Sequence, residues 1–139
     1  MAYQFRIGSI AALNSAFSAS VSGPLLRGTA EIVARYGLRV ANVFHAGDGN
    51  LHPLIMFDAN DDESFRRAEM LGADILRLCV ELGGCLTGEH GVGIEKRDLM
   101  TAQFGPVDLD QQKRVKRAFD PRWLLNPHKV FPLDPAGTA

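Results

Sequence analysis

Two apolar runs flank a six-residue segment, HAGDGN, at residues 45–50, and this constrains the fold more than any other feature of the chain. Leu38 to Phe44 (LRVANVF) and Leu51 to Phe57 (LHPLIMF) alternate enough to read as strands. Asp-Gly with a further glycine supplies the positive φ angles of a tight turn. The two strands therefore pair directly as a hairpin. Pro53 puts the second strand at an edge or gives it an irregular start, because proline has no N–H for the ladder.

Helical patterns surround the hairpin. Pro24 opens one that runs to Tyr36, with Leu25, Leu26, Ile32 and Val33 as apolar positions and Gly37 as its stop. The longest begins after Asn60 and Asp61, either of which can cap it. In it Phe65, Ala68, Leu71, Ile75, Leu78, Cys79 and Leu82 recur at three- and four-residue steps, and Gly83 and Gly84 end it. Cys85-Leu86-Thr87 reads as a short strand, Ile94 to Phe104 as a helix, and a further helix starts at Asp108 with Val115 and Ala118 on its apolar side. Asp120-Pro121 ends that helix, and the tail LLNPHKVFPLDP, with three prolines, is expected to be extended. Strands joined directly by a short turn favour an α+β sandwich with a largely antiparallel sheet over a doubly wound parallel one.

Composition narrows the function classes. A chain of 139 residues with 46% hydrophobic residues fits one globular domain. The net charge of -1 lacks the basic excess of a general nucleic-acid binder. Cys79 and Cys85 are too few for a disulfide scaffold, and Cys79 falls within an apolar helical pattern as a small buried hydrophobe. No apolar run is long enough for a transmembrane segment. The first twenty residues only loosely resemble a signal peptide, because Ser9, Asn14 and Ser15 interrupt the apolar stretch and Arg6 is its only basic residue. They read as a local amphipathic segment or a non-native start, with secretion as the minor alternative, and the expected compartment is the cytoplasm.

Three of the four histidines lie beside glycine-rich turns. His45 ends one strand and His52 lies near the start of the next, so a tight turn brings both imidazoles to one edge of the sheet. Glu89 and His90 occupy a second bare loop, GEHGVG. His45, His52 and Glu89 make a set of three protein ligands, which leaves a coordination position for water or substrate, as catalytic metal sites do. The competing reading has the histidines satisfied by backbone carbonyls in turns and core. Asp48 could add a ligand, but Asp before Gly is also what a tight turn favours. GEHGVG lacks the order of a phosphate-cradling loop. The basic run Lys113, Arg114, Lys116 and Arg117 reads first as a solvated helix face and second as a contact to a phosphate or an acidic partner.

HAGDGNLHP at His45 to Pro53, GEHGVGIEK at Gly88 to Lys96 and FDPRWLLNPHKVF at Phe119 to Phe131 occur in that order. Together they resemble the C-terminal domain of FAD-linked oxidases of the vanillyl-alcohol oxidase superfamily, nearest to glycolate oxidase flavoprotein subunits and D-lactate or D-2-hydroxyglutarate dehydrogenases. The resemblance covers roughly Glu31 to Phe131; residues Met1 to Gly23 do not look like the family, and 24–139 are assigned to its substrate and metal part. It implies a ferredoxin-like sandwich with helices on one face, here incomplete. It implies that His45, His52 and Glu89 bind a divalent metal, with zinc, manganese and iron all suited to such ligands. It makes His90 the base at the substrate hydroxyl and places Asn126 and Lys129 toward the flavin. His128 stands where the family has glycine, which puts the local turn in question.

The chemistry implied is oxidation of a small 2-hydroxy acid, glycolate or D-lactate, to the 2-oxo acid. A divalent cation can lower the pKa of a bound oxygen acid from ~16 to about 7 in the best case, which brings the hydroxyl proton within reach of an imidazole. In relatives specific for 2-hydroxyglutarate the residue two places after the second metal histidine is polar. Here it is Leu54, which favours a small acid. The relatives bind FAD mainly through a separate domain with no counterpart here. The resemblance thus implies an FAD-binding domain or subunit as partner, with further oxidase subunits and a membrane-linked electron-transfer complex as wider associates. The isolated chain is expected to be inactive. The other readings are a non-catalytic metal-binding or docking module derived from that domain, and a self-contained metal hydrolase, which lacks any His-Glu-x-x-His motif.

Overall fold

The computed structural model describes residues 15–16, 22–45 and 47–134. The amphipathic segment expected over the first twenty residues lies outside them apart from Ser15 and Ala16, as does the last proline of the tail. The chain divides into two compact units, Met1–His90 and Gly91–Ala139.

The first unit is α+β with an antiparallel sheet. Strand β1 (Ser15–Ala16) is followed by helix α1 (Ser22–Tyr36), β2 (Arg39–His45), β3 (Asn50–Met56) and helix α2 (Asp62–Glu81). The sheet order is β1-β3-β2, all antiparallel, so β3 lies at the centre. That corrects the edge position expected from Pro53, whose partner on β2 is Asn42. The hairpin itself matches the sequence reading, and its turn is closed by the Asp48 N–H donating to the His45 carbonyl at 3.1 Å.

Alternation along β3 decides which side faces the core. Leu51, Pro53 and Ile55 are buried, whereas His52, Leu54 and Met56 are half-buried. Leu51 joins Leu25 of α1 and Cys79 of α2 in one buried cluster, with Leu26, Leu78 and Leu82 packed against it. The helices therefore cover one face of the sheet. Where α1 crosses α2, Gly28 lets the backbone approach closely, since a Cβ there would lie 2.6 Å from the Leu78 Cδ2.

The ends of α2 follow from local chemistry. Asp61 is the N-cap and accepts the Glu63 N–H, and Asp62 and Glu63 place negative charge at the positive end of the helix dipole. At the other end the Gly83 N–H donates to the Val80 carbonyl at 2.9 Å and the Gly84 N–H to the Cys79 carbonyl at 2.8 Å. This pair of bonds needs a left-handed residue after the cap, and Gly83 supplies it at φ +82°. The strand expected at Cys85-Leu86-Thr87 does not form: the segment is irregular and lies outside the three-stranded sheet, and the Cys85 thiol donates to the Thr87 carbonyl at 3.1 Å.

The second unit holds a 3₁₀ turn (Arg97–Leu99) running into the short helix α3 (Met100–Gln103), and then α4 (Pro106–Phe119). The helix expected from Ile94 thus starts three residues later. Helix α4 starts before Asp108, whose carboxylate accepts the N–H of the N-cap Gly105 at 3.1 Å. No residue of α4 is buried, so Val115 and Ala118 do not form the core-facing stripe expected of them. The basic run is engaged locally: Arg114 pairs with Asp110 at 2.9 Å, Lys116 with Asp120, and Arg117 lies over the Trp123 ring.

The tail is not extended. Trp123, Asn126, His128 and Val130 all take positive φ, against the preference of L residues. His128 at φ +62° keeps the left-handed backbone for which the family has glycine, with its carbonyl accepting from the Arg97 guanidinium at 2.9 Å. Asp120 anchors the start of this segment. Its carboxylate accepts from the Lys116 ammonium at 2.6 Å and from the N–H groups of Leu124 and Leu125 at 3.0 and 2.8 Å. The Lys116 hydrogen bond first, then those two N–H groups, hold its pKa down to about 2 against the opposing effect of desolvation. A depressed folded-state pKa makes this contribution fully present above the unfolded value of about 3.9 and lost as pH falls through about 2. Asp120→Asn is therefore expected to lower the melting temperature at pH 7 by on the order of 5 °C. In calorimetry across pH, the gap to the unsubstituted chain should narrow below pH 4; a gap constant down to pH 2 would reject this role.

Candidate metal centre

The hairpin register explains why two histidines seven residues apart come together. His45 lies opposite Asn50, and His52 lies two residues further along the same face of β3. The rings end 5.3 Å apart between centroids, edge to face. This face is turned away from the Leu51–Ile55 side that packs on α1 and α2. Glu89 reaches the same place from the loop after α2, with its Oε1 3.7 Å from the His45 Nε2 and 3.6 Å from the His52 Nε2. One potential ligand atom from each of the three residues lies within 4.8 Å of the others.

These spacings fit a small divalent cation. Tetrahedral zinc with ligands at about 2.0–2.1 Å sets its donors roughly 3.3–3.5 Å apart. The two Glu89–imidazole separations need only a slight contraction, and the set as a whole, within 4.8 Å, a larger one. The His52 Nε2 is buried and has no hydrogen-bond partner among the described residues. A buried ring nitrogen without a partner is costly, and a cation between it and Glu89 would satisfy it. A histidine satisfied by backbone carbonyls, the competing reading, does not describe that atom.

His90 stands on the other side of the carboxylate. Its Nε2 is 3.8 Å from the Glu89 Oε2, and its ring centroid is 5.7 Å from that of His52. Gly91 follows at φ +78°, a conformation that leaves the backbone beside His90 bare. Leu54 continues the His52 face of β3 by one step, half-buried, opposite Ala41. Asp48 stays in the turn and is not one of the three grouped residues. Asn126 and Lys129 are exposed residues of the second unit.

Sequence reasoning passed over Asn50. It is only 5% exposed, and its side-chain Nδ2 donates to the Glu89 Oε1. The available signal was its place in the two-residue period: Asn50 and His52 share a face, and Asn50 is the cross-strand neighbour of His45.

His45, His52 and Glu89 thus form a candidate metal centre at one edge of an α+β scaffold. Comparison with known sequences places the chain. The profile of the C-terminal domain of FAD linked oxidases matches residues 13–130, and the chain belongs to that family. It is 57% identical over 108 residues to the glycolate oxidase subunit GlcD of Escherichia coli K12, covering 78% of this chain and 22% of that one. The Bacillus subtilis subunit of the same name is 41% identical over 104 residues, 75% of this chain and 22% of the relative. D-lactate dehydrogenase [cytochrome], mitochondrial, of Kluyveromyces lactis is 36% identical over 111 residues, 80% of this chain and 19% of the relative. The chain spans about a fifth of the length of the curated relatives it matches. Among the described residues, no helix is long and apolar enough to cross a membrane.

Proposed function

We propose that this chain contributes the metal site and the catalytic base of an FAD-dependent 2-hydroxy-acid dehydrogenase that oxidises glycolate or D-lactate to the 2-oxo acid. One observation carries this reading: the His45, His52 and Glu89 donor atoms converge within 4.8 Å, with His90 on the outer carboxylate oxygen. The names of the relatives supply the substrate class.

A divalent zinc, manganese or iron ion held there would supply Lewis-acid polarisation of the substrate oxygens, and FAD would supply the hydride acceptor. His45, His52 and Glu89 would hold the ion, as three protein ligands that leave a coordination position for substrate. His90 takes the hydroxyl proton at its Nε2, the nitrogen that faces Glu89. Leu54 walls the face beside His52 and offers nothing to a second carboxylate, which favours a small acid over a dicarboxylate. Asn126 and Lys129 are assigned to the flavin side, and an FAD-binding domain or subunit is the partner.

The test has two arms. The purified chain should bind one Zn²⁺ or Mn²⁺ per molecule in calorimetry. Mixed with an FAD-binding domain from a close relative, it should restore glycolate-dependent dye reduction. Metal binding without restored turnover would leave only a metal-binding module, and absence of both would reject the proposal.

A further inference from the structure

The trio has a weak member. His45 and His52 stand on paired strands whose ladder fixes their Cα positions, but Glu89 comes from a loop that forms no helix or strand, and its side chain is 48% exposed. A free glutamate side chain carries up to about 2 kcal/mol of rotamer entropy, so a ligand on such a loop needs something rigid to aim it. We propose that Asn50 is that element, a positioning residue that sets the Glu89 carboxylate between the two imidazoles. This rests on the metal reading above.

The geometry is specific. Asn50 is cross-strand partner to His45 and same-face neighbour to His52, so it is the β3 residue adjacent to both. It is 95% buried, by the complement of its 5% exposure, and its Nδ2 donates to the Glu89 Oε1, the same oxygen that faces both imidazoles. Chemistry fixes which way the amide points, because an ionised carboxylate only accepts and must meet the NH₂ rather than the carbonyl. The Asn50 Oδ1 is left buried without a hydrogen-bond partner among the described residues, so the charge-assisted bond to Glu89 is kept at the expense of the other end. A carboxylate oxygen has lone pairs enough to accept from Nδ2 and still face a cation. An amide is also the suitable donor here, since it adds no charge that would compete with the ion. Outer partners of this kind orient metal ligands, and their loss typically weakens metal affinity 10–100-fold.

The test is a double-mutant cycle on the full chain, titrated with Zn²⁺ by calorimetry. Asn50→Leu should weaken binding roughly 10–100-fold. Glu89→Ala should weaken it through loss of the ligand. In the Glu89→Ala background, Asn50→Leu should weaken it no further, because a residue that acts through Glu89 has nothing left to position. Unchanged affinity in Asn50→Leu would overturn the proposal. So would an undiminished loss in the double variant, which would mean a general effect on the fold. If Asn50→Leu does not fold by circular dichroism, Asn50→Thr gives the same comparison, since it suits a strand and its hydroxyl is too short to reach Glu89. An unsubstituted chain that binds no Zn²⁺ would overturn the metal reading itself, a result separable from failure of the Asn50 step alone.

Discussion

Replacing His52 by alanine is expected to remove Zn²⁺ binding from the chain, with an affinity loss larger than the roughly 10–100-fold attached to an outer partner. His52 is the inner member of the trio, with a side chain 14% exposed against 61% for His45. Its buried Nε2 is the atom that lacks a partner. A bound cation would therefore satisfy that nitrogen, and removal of the imidazole would remove both the proposed ligand and the unpaired atom. The two effects separate by measurement. Without metal, His52→Ala should melt close to the unsubstituted chain, because the lost packing is offset by the lost unpaired nitrogen. With Zn²⁺ at about 100 times its Kd, the unsubstituted chain should gain about 2.7 kcal/mol and the variant nothing. His45→Ala is the companion: its exposed ring contributes little packing, so its effect should be confined to affinity. Equal Zn²⁺ affinity in His52→Ala and the unsubstituted chain would show that the three residues are not a metal set.

The approach of the two histidines could be read before the structure because a hairpin carries its own geometry. Once HAGDGN is a turn, the register that pairs His45 with Asn50 places His52 one step along the same face, and no long-range packing is needed. Helix α2 was legible for a related reason: its apolar spacing, its cap at Asp61 and its stop at Gly83 all lie within the segment. What failed depended on partners outside the segment. Cys85 to Thr87 has strand-like residues but lies outside the three-stranded sheet. Val115 and Ala118 of α4 read as an apolar side, yet both are exposed, Val115 at 62%. Pro53 was read as an edge residue from its missing N–H, yet β1 pairs with β3 at Asn50 and Leu51, away from the proline, and so the strand can be central. The tail was read as extended from its prolines, whereas the Asp120 carboxylate gathers the N–H groups of Leu124 and Leu125 and bends it. Asn50 was hidden because asparagine after Asp-Gly is explained well enough by the turn. Its bond to Glu89 spans 39 residues of sequence, and no local pattern reports it.

His90→Gln carries the largest expected effect on turnover. Glutamine keeps a polar side chain of similar reach but cannot take up a proton near neutral pH. With an FAD-binding domain present and glycolate as substrate, kcat should fall by roughly 10²–10⁴, the range that a positioned general base contributes. Zn²⁺ affinity should be unchanged, because His90 approaches the Glu89 Oε2 while His45 and His52 approach Oε1. That contrast separates the base from the ligands: His52→Ala should lose metal and turnover together, His90→Gln turnover alone. KM should move less than kcat, since the proton transfer develops in the transition state while glycolate is held mainly through the ion and the pocket wall. Substitution of Leu54 should show the opposite pattern, with KM values for small acids and dicarboxylates shifting relative to each other and kcat for glycolate little changed. If His90→Gln keeps kcat within a few-fold while His52→Ala abolishes it, the hydroxyl proton leaves by another route. The free edge of Glu89, 48% exposed, would then be the next acceptor to test.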